Sequence, residues 1–271
     1  MNRNDKMSIL VCSCDKYADI WTPMFKMFFK FWSDCPYKVY LMTNHKKCEN
    51  ERVISLNIGD DISWSLGFRK ALQMIEEEYV FVIMEDYILK KSVDYKDFED
   101  LIDYMKAENA VCVRTMPSLY ADEPGYGMFK QIRIGEVKRN DPYRISLQAG
   151  MWNRNYLISI IDDKDSAWEF EHMGSKRSRY DHSKILCTID KENIIFDYYC
   201  TGVIQGYWVQ EAIDLCESNG VYVDLNRRPV ETEKIRNKRI HNERDFVKLK
   251  KFLKNTFIYD LYRAQKFGKR K

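Results

Sequence analysis

The chain lacks any apolar run approaching the roughly 18 residues that a spanning helix needs. Its greasiest stretch, Trp21 to Trp32, is broken by Lys26 and Lys30. No transmembrane segment is expected. The first residues, Met1 to Lys6, are polar and lead into a short strand-like run. They lack the apolar region and small-residue cleavage site of a signal peptide. Eight cysteines are present without a CxxC or any paired spacing, and most lie inside apolar runs. That excludes a zinc cluster and a disulfide framework, and fits reduced core thiols of a cytoplasmic protein. The four histidines show no ligand spacing. Neither GxGxxG nor GxxxxGK[ST] occurs, which takes support from dinucleotide folds and P-loops. There is no internal repeat and no low-complexity segment.

What is present is a chain with material for a real core, 45% hydrophobic and 14% aromatic over 271 residues. Wholesale disorder is excluded on that composition. Net charge is only +3, but it is spread unevenly. Residues 227–271 hold sixteen Lys and Arg against five Asp and Glu, about +11, leaving about −8 on residues 1–226. A basic tail on an acidic body predicts an anionic partner for the tail.

The pivotal stretch is Tyr79 to Met84, six apolar residues in a row followed at once by Glu85-Asp86. The run reads as a strand buried on both faces. An unpaired carboxylate is costly inside, so the doublet belongs at the strand's C-terminal lip, facing a crevice. In open α/β sheets that lip is where ligands bind. An acidic surface turn is the alternative reading.

Elements around it alternate. Met7 to Cys12 reads as a strand, and Ile20, Trp21, Met24, Phe25, Phe28, Phe31 and Trp32 as one helical face, with Pro23 in its first turn. Tyr37 to Thr43 and Val53 to Leu56 read as strands. Ser63 is an N-cap candidate for a helix from Trp64 to about Glu77. Asp94 to Glu108 is amphipathic, and Ala110 to Arg114 is strand-like. This alternation predicts a largely parallel sheet covered by helices. Further on, Met116 to Phe129 reads as a loop, and Gln131 to Glu136 and Ile145 to Ala149 as strands, an antiparallel addition. Asn153 to Ile161 and Ala167 to Met173 read as helices, and Gly174 to His182 as a mobile polar loop that could close over phosphate with Lys176, Arg177 and Arg179. Ile194 to Cys200 reads as a strand, Trp208 to Ser218 as a helix, and Val221 to Val223 as a short strand. Arg244 to about Lys266 reads as a basic amphipathic helix.

Three constellations could carry chemistry. Glu85-Asp86 can hold a divalent cation through oxygen ligands and leave positions for diphosphate oxygens. In Ser13-Cys14-Asp15-Lys16-Tyr17, Asp15 could accept hydrogen bonds from a base or ribose and Tyr17 could stack; an N-cap aspartate and a packed tyrosine are the plainer reading. Ser146 to Trp152 and Ser166 to Glu171 offer small residues, the flat faces of Trp152 and Trp168, and two carboxylates, Glu169 and Glu171, near a helix start. One of these could serve as a general base. Exposed helical glutamates beside core tryptophans would look the same.

In this order, Val11 to Trp21, Ser63-Trp64-Ser65, Glu85-Asp86-Tyr87, Ser146 to Trp152 and Ala167 to Glu171 resemble bacterial GT-A-type glycosyltransferases of surface-polysaccharide (capsule or O-antigen) biosynthesis. The resemblance spans roughly residues 7 to 228. It implies an α/β, Rossmann-like GT-A fold over residues 1–228, a mainly parallel sheet flanked by helices, and a basic C-terminal tail over 229–271. It implies that Ser13, Asp15 and Tyr17 hold the base and ribose, with Trp64 and Arg69 bordering the nucleotide. Glu85-Asp86-Tyr87 takes the place of the Asp-x-Asp motif, with Asp86 as the Mg²⁺ or Mn²⁺ contact and Tyr87 standing where a second Asp is usual. Gln148, Gly150 and Trp168 would line the donor-sugar and acceptor pocket. Glu171, or Glu169 as second choice, would be the base of an inverting transfer. The implied donor is a UDP-linked hexose and the implied acceptor a glycan or lipid-linked hydroxyl. The tail would rest on anionic lipid at the inner face of the plasma membrane; a helix docked on the body is the alternative, and nucleic acid finds no wide basic footprint. A nucleotidyltransferase and a non-catalytic nucleotide- or glycan-binding subunit are the rival classes.

Overall fold

The computed structural model describes residues 6–117, 127–190 and 194–239. The basic helix expected over residues 244–266, with its membrane role, lies outside the described residues, as does most of the loop expected from Met116 to Phe129. Among the described residues no helix is long and apolar enough to cross a membrane.

The chain forms an α/β fold around one nine-stranded sheet. β1 (Met7–Cys12) is buried at every position. α1 (Ala18–Phe31) follows a 3-10 turn at Asp15–Tyr17 and buries the expected face, including Trp21, Phe25 and Phe28. It begins earlier than expected, so Pro23 falls in its second turn, buried. β2 (Lys38–Thr43) and β3 (Val53–Asn57) complete one edge, and α2 (Trp64–Gln73) returns the chain to β4 (Tyr79–Met84). β4 pairs parallel to β1 in the register Ser8 with Val80 and Leu10 with Val82. Alternate residues of β4 enter two separate cores, Phe81 and Ile83 on the α1 side and Val80 and Val82 on the α2 side. That explains the unbroken apolar run: a strand covered on both faces has no polar side to show.

β5 (Ile88–Leu89), α3 (Tyr95–Ala107) and β6 (Ala110–Arg114) follow, with Asp94 capping α3 through Lys96 N. β7 (Gly127–Phe129) and β8 (Ile132–Glu136) form the far edge. The antiparallel insertion is β9 (Gly150–Asn153), lying between β4 and β6. This corrects the strand expected over Ile145 to Ala149, which is largely buried but forms no strand: the ladder starts at Gly150, where the chain passes tightly over β6. A Cβ at Gly150 would meet Val113 O at 3.3 Å and Arg114 Cα at 3.4 Å. The order across the sheet is β3-β2-β1-β4-β9-β6-β10-β8-β7, with β10 (Lys184–Thr188) parallel to β6.

α4 (Arg154–Ser159) is capped by Asn153, and α5 (Ala167–Arg177) runs a turn longer than its apolar pattern predicts. The mobile loop expected from Gly174 is instead helical to Arg177, because Gly174 and Ser175 are packing positions. Gly174 lies against Ile145, and Ser175 Oγ receives Ile145 N at 2.9 Å. Arg177 is committed too, pairing with the buried Asp165 at 2.7 Å. The strand expected over residues 194–200 shrinks to β11 (Tyr198–Tyr199), paired with β5. β12 (Val203–Ile204) and β13 (Tyr207–Trp208) form a hairpin whose two-residue turn, Gln205 and Gly206, has positive φ at both positions. α6 (Gln210–Ser218) therefore starts after Trp208, and residues 221–223 form no strand. Residues 229–231 pack on β13, Trp208 N donating to Pro229 O at 2.9 Å and Glu231 N to Trp208 O at 2.8 Å.

Candidate active site

The sheet order reverses direction at β1: the chain builds outward through β2 and β3, then returns to place β4 on the opposite side. The C-terminal ends of adjacent parallel strands diverge at such a point and leave a crevice. A cleft of about 560 Å³ opens there. Cys12, Ser13 and Cys14 at the end of β1, Met42 and Asn44 at the end of β2, and Met84 and Glu85 at the end of β4 form its floor. Ser63 and Trp64 at the start of α2, and Ser166, Ala167 and Glu169 at the start of α5, form one wall. Two helix N-termini thus border one cleft, a setting that favours anionic groups. Asp61, Glu85 and Glu169 supply carboxylates and Lys164 a cation.

The acidic doublet is split by the turn after β4. Glu85 lines the cleft although it is only 7% exposed. Burial, and then the neighbouring Asp86 charge, push its carboxyl up to about 8; its own backbone hydrogen bond and Arg228 pull the other way. Among the described residues its Oε2 has no hydrogen-bond partner. Asp86 turns under the start of β12, where its Oδ2 accepts Val203 N at 3.3 Å and its carbonyl accepts Gly202 N at 3.1 Å. Burial raises Asp86 to about 6 against those backbone bonds. Tyr87 is a core residue, stacked on Tyr198 with ring centroids 4.5 Å apart and donating to Leu147 O at 3.1 Å. Glu85, not Asp86, is therefore the carboxylate on the cleft lining, because the Asp86 side chain is engaged by the Val203 amide.

In the β1 loop, Ser13 and Tyr17 line the cleft. Asp15 does not. Its Oδ1 accepts Asn44 N at 3.0 Å and its Oδ2 accepts His45 N at 3.1 Å, with Lys46 N at 3.2 Å from both. Asn44 Oδ1 in turn accepts Asp15 N at 3.0 Å. The aspartate braces the loop that carries Ser13 and Tyr17 against the end of β2. Arg228 was not singled out by its sequence, which is one of many basic residues near the C-terminus. Its guanidinium lies 4.8 Å over the Tyr17 ring and pairs with Asp19.

Trp64 forms an aromatic shelf, its ring 4.8 Å from Phe68 and 5.7 Å from Phe170. Arg69, expected beside it, clamps elsewhere, donating to Asp163 Oδ1 at 2.5 Å and to Ile158 O and Ile161 O. A residue five positions along a helix from Trp64 need not share its face. Glu169 closes a capping box with Ser166. Glu171, two residues on, faces the segment before β9 instead: its Oε1 accepts Leu147 N at 2.7 Å and Ser146 Oγ at 3.1 Å. Gln148 Oε1 accepts Tyr198 OH at 2.6 Å. Gly150 and Trp152 are buried in the sheet, and Trp168 is 71% exposed and off the cleft lining. The small and aromatic residues read as a sugar pocket are thus divided between sheet packing and solvent.

Among the described residues no group of three or more His, Cys, Asp or Glu could hold a metal ion. What the site does offer is the unpartnered Oε2 of Glu85, with Asp86 beside it in sequence. That fits a hard cation that takes most of its shell from substrate phosphates and water, as Mg²⁺ does.

The chain matches no protein-family model and no curated protein. Among solved structures it is similar to S. aureus TarS 1-349 in complex with UDP-GlcNAc, with 16% identity, 81% of this chain and 68% of that one covered, and a TM-score of 0.49. It spans 40% of the longer S. aureus TarS chain. It is also similar to a UDP-glucose pyrophosphorylase complexed with UDP-glucose, with 8% identity, 79% and 98% coverage and a TM-score of 0.48. A third is the bifunctional IspDF from Campylobacter jejuni, with 14% identity, 73% and 52% coverage and a TM-score of 0.41. Identities this low say nothing about the reaction.

Proposed function

We propose that this chain is a glycosyltransferase that takes a sugar from a UDP-linked donor and delivers it to a hydroxyl of a glycan or lipid-linked acceptor. The observation that carries this reading is the cleft at the switch point, which joins an aromatic shelf, two helix N-termini and a buried carboxylate in one place. Tyr17 and Trp64 would hold the base, Ser13 the ribose, and the α2 and α5 N-termini with Lys164 the diphosphate. Even with Glu85 holding its proton, Asp61 and Glu169 outnumber Lys164 on the lining, which supports a divalent ion entering with the donor. Glu85 would hold that ion, with Asp86 behind it, and the ion would supply charge neutralisation for the departing diphosphate. Glu171 would act as the base. One of its oxygens is fixed by the 146–147 backbone and hydroxyl, which orients the other. The acceptor oxygen bonds to the anomeric carbon, the bond from that carbon to the diphosphate oxygen breaks, and the acceptor proton passes to Glu171.

Calorimetric titration of UDP with and without Mg²⁺, followed by a donor-turnover assay, tests this. Glu85→Gln is expected to weaken Mg²⁺-dependent UDP binding. Glu171→Gln is expected to stop transfer while UDP still binds. Absence of UDP binding in the unaltered protein would remove the reading altogether.

A further inference from the structure

A second groove, of about 470 Å³, lies on the other side of the 3-10 turn from the cleft. Trp21 and Phe25 of α1 make its floor, and Lys26, Lys46, Lys47 and Arg227 stand on its rim. These four cations come from three separate stretches of chain, and all four are exposed. Among the described residues none of the four side chains has a carboxylate or hydrogen-bond partner. One acid, Glu49, shares the lining. Like charges separate unless something holds them, and here the backbone does. Lys46 N is bound by Asp15, Lys46 O accepts Asn57 Nδ2 at 3.1 Å, and Cys48 N donates to Ser55 Oγ at 2.8 Å. The segment carrying Lys46 and Lys47 is therefore fixed between the 3-10 turn and β3. This is a concentration of positive charge on a body whose first 226 residues carry about −8.

The two cavities share a wall. Trp21 floors the groove with its ring, and its indole N–H donates to Ser13 Oγ on the cleft lining at 2.8 Å. Asp15 ties the lysine segment to the loop that carries Ser13 and Tyr17. We propose that the groove is an anion-binding subsite for the acceptor, taking a phosphate group carried on a carbohydrate. The phosphate would sit among Lys26, Lys46, Lys47 and Arg227, with the sugar hydroxyls beside Thr22 and Asn50 on the same lining. Lysines suit such a group as point charges, and a groove of about 470 Å³ leaves room for a sugar beyond the phosphate, with polar side chains on its lining to meet hydroxyls. The acceptor role rests on the transferase reading above; the binding itself does not.

The test is titration of the full chain with mannose 6-phosphate, mannose and inorganic phosphate, each with and without excess UDP. Mannose 6-phosphate is expected to bind more tightly than either fragment and to keep binding with UDP present. Lys26→Glu/Lys47→Glu is expected to weaken it about tenfold, the sum of several exposed charge contacts, with UDP affinity and melting temperature unchanged. Arg227→Ala, a smaller change at the same rim, is expected to weaken it in the same direction. Binding no tighter than that of inorganic phosphate, binding unaltered in both variants, or complete displacement by UDP would each overturn the subsite. Loss of UDP binding alone would sink the donor cleft and leave the groove standing.

Discussion

Arg228 and Asp19 are 209 positions apart in sequence, yet the guanidinium grips both carboxylate oxygens, at 2.8 and 2.9 Å. The pair is almost fully buried, and the same guanidinium donates to Lys16 O and covers Tyr17. It fastens the chain beyond α6 to the first turn of α1, beside the cleft. A planar fork matched to a carboxylate cannot be replaced by a lysine.

Arg228→Ala would leave Asp19 buried without its counter-charge. Removing one partner of a buried pair costs about 3–5 kcal/mol. Urea denaturation is expected to show a loss on that order, with Arg228→Lys recovering only part of it. Because Tyr17 loses its cover, UDP affinity is expected to fall as well. An unchanged urea midpoint would show that the pair contributes nothing net.

Glu85 gives the protein a pH dependence of definite sign. Its folded carboxyl is pushed up to about 8, above the ordinary 4.5. Between those values the unfolded chain releases a proton that the folded chain keeps, so stability falls as pH rises. Asp86, raised to about 6, acts in the same direction over a narrower window. Urea midpoints measured from pH 5 to 8 are expected to decline, and Glu85→Gln to flatten most of that slope. A slope of the opposite sign would remove the buried, cation-free carboxylate from the account. Adding Mg²⁺ with UDP at pH 7 is expected to release protons, readable as a buffer-dependent heat.

How much of this was legible follows from what each residue's neighbours are. Tyr79 to Met84 announces a strand covered on both faces, and the doublet after it announces the lip, because both depend on local composition alone. Trp64 and Tyr17 are on the cleft for the same reason: each sits beside an element end that sequence can locate. Asp15, Arg69 and Gly150 were misplaced because their partners are distant, namely the amides of residues 44–46, the carbonyls of 158 and 161, and the backbone of β6. Arg228 and Asn44 carry no local signal at all. A side chain that braces two loops looks, in one dimension, like one that meets a ligand.

Trp64 separates shelf from core. Stacking of a base on an aromatic side chain contributes about 1–3 kcal/mol by alanine substitution. Trp64→Ala is expected to weaken UDP binding by at least roughly fivefold, while Trp64→Phe keeps most of the affinity. Since the ring also packs on Phe68 and Phe170, the alanine variant is expected to melt earlier. A stability loss without any change in UDP affinity would make Trp64 a core residue only.

Gly202 is where the backbone itself shapes the acidic turn. A Cβ there would come within 2.8 Å of the Asp86 carbonyl oxygen, and that oxygen is the acceptor for Gly202 N. The obstructing atom is backbone, so no rotamer change relieves it, and either the 202–203 segment or the turn after β4 must move. Overpacking of this kind costs about 1–3 kcal/mol. Moving the segment also withdraws Val203 N from Asp86 Oδ2, leaving a buried carboxylate with one donor fewer. Gly220 gives the comparison: its φ is +75°, and a Cβ would meet nothing within 4 Å. Gly220→Ala is expected to cost only the left-handed backbone penalty, about 1 kcal/mol, with UDP affinity unchanged. Gly202→Ala is expected to cost more and to weaken Mg²⁺-dependent UDP binding in parallel. Equal costs in the two variants, with UDP affinity intact in both, would separate the turn from the site.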